Sequence, residues 1–120
     1  MAMAFSIEDR PVDEGTHVVA VTGEIDLFTA PEFKQRVSVP IDAGRTRVIV
    51  DLTDTTFIDS SSLGVLIGAH RRLRRLDGSL VIVCSNDAIV KTFRITGLDG
   101  VFTIVDRLEE ALDGDAVGAG

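Results

Sequence analysis

The 120 residues carry 12 Lys and Arg against 19 Asp and Glu, a formal net charge of −7, with 45% hydrophobic residues, one Cys, six Phe and neither Trp nor Tyr. A chain of this length buries roughly 65% of the surface its unfolded form exposes, enough for one two-layer core and not for a second domain; its apolar content excludes intrinsic disorder outside the ends. The acidity disfavours direct nucleic-acid or anionic-membrane partners, because a face that neutralises phosphates needs clustered Lys and Arg.

The apolar runs Val18 to Val21 and Leu80 to Cys84 fall far short of the ~20 residues that span a bilayer, so no membrane segment is expected. Met1 to Glu8 lacks the basic and apolar regions of a secretory signal. Cys84 has no second Cys to pair with and reads as a small buried hydrophobe, and the chain reads as cytoplasmic.

Phe5, Ile7 and Val12 predict an opening strand, closed by the polar turn Asp13-Glu14-Gly15. Thr16 to Glu24, rich in Val and ended by Gly23, predicts a second. Thr29-Ala30-Pro31-Glu32 has a Thr at an N-cap position, a Glu three residues on and a Pro in the first turn. It starts a helix that turns Phe33 and Val37 to the core and stops by Pro40. Arg47 to Asp51 encloses Val48-Ile49-Val50, the continuous apolar run of a strand buried on both faces of a parallel sheet.

Thr53 to Thr56 reads as a polar turn, and Phe57-Ile58 leads into Asp59-Ser60-Ser61-Ser62. Asp59 or one of these hydroxyls is expected to cap the next helix, along which Leu63, Leu66, Ile67, His70, Leu73 and Leu76 recur at helical spacing up to a stop at Gly78. Ser79 to Cys84 is another buried strand, and Ser85 or Asn86 caps a helix through Val90, Phe93 and Ile95 to Gly97. Phe102 to Val105 is a last strand, and Asp106 with Glu109 forms a second capping-box pattern before Leu108 and Leu112. Strand and helix alternate from residue 16 to 112, the pattern of an α/β sheet with right-handed crossovers. Residues 1–112 form the domain and 113–120 a flexible tail.

The chain holds no phosphate loop with its Lys, no dinucleotide fingerprint, no Cys or His pairs at metal spacing and no nucleophile elbow. His17 lies beside a strand and reads as a surface residue, and His70 falls on the apolar stripe of the serine-capped helix, where it packs. Asp51, Asp54 and Asp59 are candidates for a Mg²⁺ site, and Asp51 closing a buried strand resembles the phosphoacceptor of a response-regulator receiver. A receiver needs an acidic pair after its first strand and a Lys-Pro after its fifth, and no such Lys-Pro occurs. Asp51 and Asp54 are read as carboxylates solvating strand ends, with no metal site and no catalysis by this chain. Arg71-Arg72-Leu73-Arg74-Arg75 matches the dipole at its helix's end and reads as a solvated face.

Three hydroxyls exceed what capping one helix requires. A phosphoryl group there adds about −1.5 to −2 charge, which a helix N-terminus favours, and sets that charge beside Asp59. The cluster is therefore a plausible switch.

Phe57-Ile58-Asp59-Ser60-Ser61-Ser62-Leu63-Gly64-Val65-Leu66 resembles the signature of the bacterial anti-sigma factor antagonists, members of the STAS-domain family, in which Asp-Ser-Ser-Gly-Leu-Gly opens the second helix. The resemblance extends to Gly23-Glu24-Ile25-Asp26, to Thr29, to Val48-Ile49-Val50-Asp51-Leu52 and to Phe93-Arg94-Ile95-Thr96-Gly97-Leu98. Ser62 stands where the family pattern has Gly.

The resemblance implies a single STAS-type domain, a mixed central β-sheet with helices largely on one side. It also implies a non-enzymatic switch. The unphosphorylated form would bind an anti-sigma factor that is itself a Ser/Thr kinase, releasing a sigma factor. The kinase would phosphorylate Ser61, with Ser62 the nearest rival, and a PP2C-type phosphatase would reverse it. Glu24, Asp26, Thr29, Asp59, Ser60, Ser61, Ser62 and Gly64 would face the partner. No cofactor is implied for this chain, since ATP and Mg²⁺ would belong to the kinase. The alternative keeps the fold without the switch, as a scaffold or regulatory subunit in a stress-signalling or lipid-transport complex. No feature of the sequence specifies an oligomeric state.

Overall fold

Val48-Ile49-Val50 and Val81-Ile82-Val83 are wholly excluded from solvent, as expected of apolar runs too continuous to offer a polar face. They are the centre of a five-stranded sheet in a computed structural model that describes residues 4–113. The expected tail, 113–120, lies outside those residues apart from Asp113.

The elements are β1 (Ser6–Pro11), β2 (Thr16–Ile25), α1 (Ala30–Asp42), β3 (Arg47–Ile58), α2 (Ser60–Arg75), β4 (Ser79–Val83), α3 (Asp87–Ile95), a 3₁₀ turn (Leu98–Gly100), β5 (Thr103–Val105) and α4 (Leu108–Leu112). Strand order equals chain order; β1 is antiparallel to β2 and every other neighbouring pair is parallel. Because each parallel strand adds to the same growing edge, right-handed crossovers place α1, α2 and α3 on one face. There Phe33, Val37, Leu66, Leu73, Ile89 and Phe93 pack on Val19, Val21, Val50 and Ile82. On the other face, α4 sets Ala111 and Leu108 over Val18, Ile49 and Val81. The architecture is thus a mixed sheet with helices largely on one side.

β3 does not turn at Thr53 to Thr56 but runs on to Ile58. β4 pairs only as far as Asp51, so beyond it β3 has β2 alone as neighbour, and polar residues suit that half-open strand. Thr55 is buried there and its hydroxyl donates to the Val21 carbonyl at 2.8 Å. Gly23, at φ 89°, permits the β2 bulge beside it.

Helix α1 likewise passes Pro40 and ends at Asp42. An interior Pro costs ~3 kcal/mol in a helix, but here Pro40 and Ile41 are both buried, and full burial of an Ile returns about 1.5–3 kcal/mol. The expected Thr29–Glu32 and Asp106–Glu109 capping boxes do not form, since neither Thr29 nor Arg107 gives its helix a side-chain cap. Asn86 does cap α3, accepting from the Ala88 and Ile89 amides.

Helix α2 stops through Asp77 at φ 58° and a Gly78 amide bonded to the Leu73 carbonyl at 2.7 Å. A Cβ on Gly78 would stand 2.0 Å from the Thr46 carbonyl oxygen. His70 packs edge-on against Phe102, ring centroids 5.6 Å apart. His17 is less of a surface residue than expected: its side chain is 13% exposed. Its Nε2 lies 3.2 Å from an Asp9 carboxylate oxygen, and its Nδ1 is buried with no protein partner among the described residues. Cys84 is fully buried, which pushes its thiol pKa up.

Candidate functional site

The last ladder pair of β2 and β3 is Ile25 with Ile58. Asp26 and Asp59 each leave the sheet one residue later, so the β2–α1 loop and the start of α2 stand side by side at the carboxyl ends of parallel strands, the usual place for sites in such sheets.

At α2 the cap, left open between Asp59 and the serines by the sequence, is Asp59. Its Oδ1 accepts from the Ser61 amide at 3.0 Å, the Ser62 amide at 3.2 Å and the Ser61 hydroxyl. Ser62 completes a capping box: its Oγ accepts from the Asp59 amide at 3.3 Å. That hydroxyl's own proton goes to the Ile25 carbonyl at 2.7 Å. The Ser61 hydroxyl is the foremost reason why the Asp59 carboxyl is held below its usual range, against a smaller opposing push from burial.

Around Asp26 the polar groups close a second knot. Asp26 Oδ1 accepts from the Phe28 amide at 2.9 Å and the Thr29 amide at 3.1 Å, an Asx turn. Thr29 Oγ1 accepts from the Asp26 amide at 2.8 Å and lies 3.2 Å from the Glu24 carbonyl. Thr29, read as a helix cap, is instead the pin of this loop.

The candidate residues Glu24, Asp26, Thr29, Asp59, Ser60, Ser61, Ser62 and Gly64 are therefore gathered at one end of the sheet, with different access. Glu24, Ser60 and Gly64 are exposed, Asp26, Thr29, Asp59 and Ser61 half-buried, and Ser62 is 0% exposed. Ser61 and Gly64 open onto a groove of about 500 Å³ between α1 and α2, which Lys34, Arg71, Arg72 and Arg75 also line. Arg72 is ion-paired with Asp42.

Two residues escaped sequence reasoning. Leu27 is 69% and Phe28 88% exposed, at the tip of the Asp26 loop. The available signal was their place inside Asp-Leu-Phe-Thr, a turn too tight to aim two consecutive side chains at one core.

The group touching the Ser61 hydroxyl is a carboxylate held acidic, a poor general base. Asp51 Oδ1 is occupied by the Thr53 amide and hydroxyl, and among the described residues no three His, Cys, Asp or Glu side chains converge as a metal site. No helix of the described residues is long and apolar enough to cross a membrane.

A mixed sheet of this order with a serine cluster opening its second helix defines a class: the STAS-domain family model matches residues 9–111, and the chain belongs to that family. Among curated relatives, it is 34% identical over 105 residues to an anti-sigma-B factor antagonist of Listeria monocytogenes, covering 87% of this chain and 90% of that one. Among solved structures it is similar to an anti-sigma factor antagonist from Mycobacterium paratuberculosis, with TM-score 0.83, 28% identity, and coverage of 91% of this chain and 92% of that one. The Bacillus cell fate determinant SpoIIAA in its phosphorylated form superposes with TM-score 0.70 at 28% identity, covering 92% of this chain and 97% of that one.

Proposed function

We propose that this chain is a cytoplasmic anti-sigma factor antagonist and not an enzyme. Its unphosphorylated form binds an anti-sigma factor that is a Ser/Thr kinase, which frees a sigma factor, and phosphorylation of Ser61 ends the complex. The kinase brings ATP and Mg²⁺, and a PP2C-type phosphatase returns the hydroxyl.

The observation that carries this reading is the Ser61 hydroxyl on the Asp59 carboxylate, half-exposed at a helix N-terminus. Unmodified, the pair presents one hydrogen-bonded unit with a single negative charge. A phosphoryl group removes the donated proton and puts about −1.5 to −2 charge against that carboxylate, while the first amides of α2 make the fold tolerant of it. The effect falls on a partner that has docked on the pair. Ser62 is the weaker acceptor, being buried with its proton committed to Ile25.

Each anti-sigma kinase encoded in the source genome, purified and mixed with this chain and MgATP, is the test. Intact mass should show one added phosphoryl group that maps to Ser61 and is absent in Ser61→Ala. A phosphate on Ser60 or Ser62 would overturn the residue assignment; no phosphorylation and no complex with any such kinase would overturn the reading.

A further inference from the structure

We infer that Leu27 and Phe28 are the apolar anchor of the anti-sigma factor complex, seated in a hydrophobic pocket that the partner rims with Lys and Arg; this rests on the reading as an antagonist. The pair is 69% and 88% exposed, whereas a chain that buries its other central aromatics, Phe33 and Phe93, to 0% has no folding use for a Phe in water. Burial of one aromatic removes roughly 150–250 Å² from solvent, and such residues dominate binding where they fill a partner's pocket.

Three further observations select the occupant. The loop is stiff before binding, because Asp26 and Thr29 satisfy each other's backbone groups and those of Glu24 and Phe28, so little ordering cost falls on association. The loop is also tied to the switch: the Ser62 hydroxyl holds the Ile25 carbonyl at its root, fixing the anchor's distance from Ser61, so one docked surface covers both. Finally, Glu24 and Asp26 precede the pair in the same loop and Asp59 opens the neighbouring α2, and Phe57, 46% exposed, stands opposite Glu24 in the ladder. An apolar centre with an acidic rim complements a pocket rimmed by cations. It repels a second copy of itself and an anionic lipid surface alike.

The test titrates the kinase that phosphorylates wild type at Ser61 with unphosphorylated Phe28→Ser, Leu27→Ser, the double variant, Phe28→Tyr and the control Ile95→Ser. Ile95 is 73% exposed at the far end of α3. Phe28→Ser should raise Kd about tenfold or more and the double variant about a hundredfold, mainly through faster dissociation. Phe28→Tyr should restore binding and Ile95→Ser should match wild type. All variants should melt with wild type, since none loses a buried contact.

Wild-type affinity in the double variant would overturn the anchor while leaving the antagonist reading intact. Wild type bound by no kinase would remove that reading and the anchor with it. Sedimentation supplies the remaining outcome: a dimer at micromolar concentration that Phe28→Ser dissolves would assign the pair to self-association and overturn the inference.

Discussion

The Ser62 hydroxyl donates to the Ile25 carbonyl at 2.7 Å, joining groups 37 residues apart in the chain. The same oxygen accepts the Asp59 amide, so one buried hydroxyl closes the capping box of α2 and fastens the β2–α1 loop to it.

Ser62→Ala leaves both partners short of a bond inside the protein. Stranding a buried group costs about 1–3 kcal/mol, and urea denaturation should show a loss of that size. Ser61→Ala, whose hydroxyl meets only a half-exposed carboxylate, should lose less than Ser62→Ala in the same measurement.

Ser61→Asp places a second carboxylate against Asp59 while leaving the core untouched. A like charge in a desolvated contact costs several kcal/mol, so under the proposed function calorimetric titration with a kinase that phosphorylates Ser61 should show affinity lowered about 10²-fold or more, at 1.4 kcal/mol per decade. The far-ultraviolet circular dichroism should remain that of wild type, with a cooperative melt that shows the fold intact. Undiminished binding by this variant would remove Ser61 from the switch.

His70 is held below its ordinary pKa, first by burial against Phe102 and then by the charge of Arg74. The unfolded chain therefore binds a proton at about pH 6.5 that the folded one refuses. Stability attributable to His70 is complete above that pH and declines as pH falls through the lowered folded value. His70→Phe should flatten this part of a stability-against-pH curve, and an unchanged slope would contradict the assignment.

Gly78→Ala puts a methyl group 2.0 Å from the Thr46 carbonyl oxygen, and that carbonyl is the acceptor for the Ser79 amide that opens β4. The backbone of the α2–β4 turn must move, a strain of order 1–3 kcal/mol. Thermal denaturation should register it, whereas Gly64→Ala, with nothing within 4 Å of the new atom, should melt at or above the wild-type temperature.

The buried strands were legible because Val48-Ile49-Val50 and Leu80 to Cys84 are too apolar to be anything but interior. The Thr53 to Thr56 stretch was not, since a strand with one neighbour tolerates the same Thr and Asp that make turns. Pro40 misled because local propensity signals a stop while the burial of Ile41 is a tertiary fact. At the site, the residues that motif spacing singles out lie at one end of the sheet, but their bonds are not all the expected ones. Asp26 accepts the Thr29 amide, so the expected Thr29–Glu32 box does not form, and spacing alone leaves open that Asp59 caps α2. Which hydroxyl of the three is buried depends on the Ile25 carbonyl across the sheet, which local spacing does not encode.

The two outer strands bear on how the protein behaves between partners. β1 keeps only Ile7 buried and lines its open side with Glu8, Asp9, Arg10 and Pro11, while β5 at the opposite border is three residues long. An unpaired strand invites another chain to add on and seed aggregates, and charge, proline and brevity are the features that deter it. Both borders of the sheet are thereby guarded against edge-to-edge polymerisation.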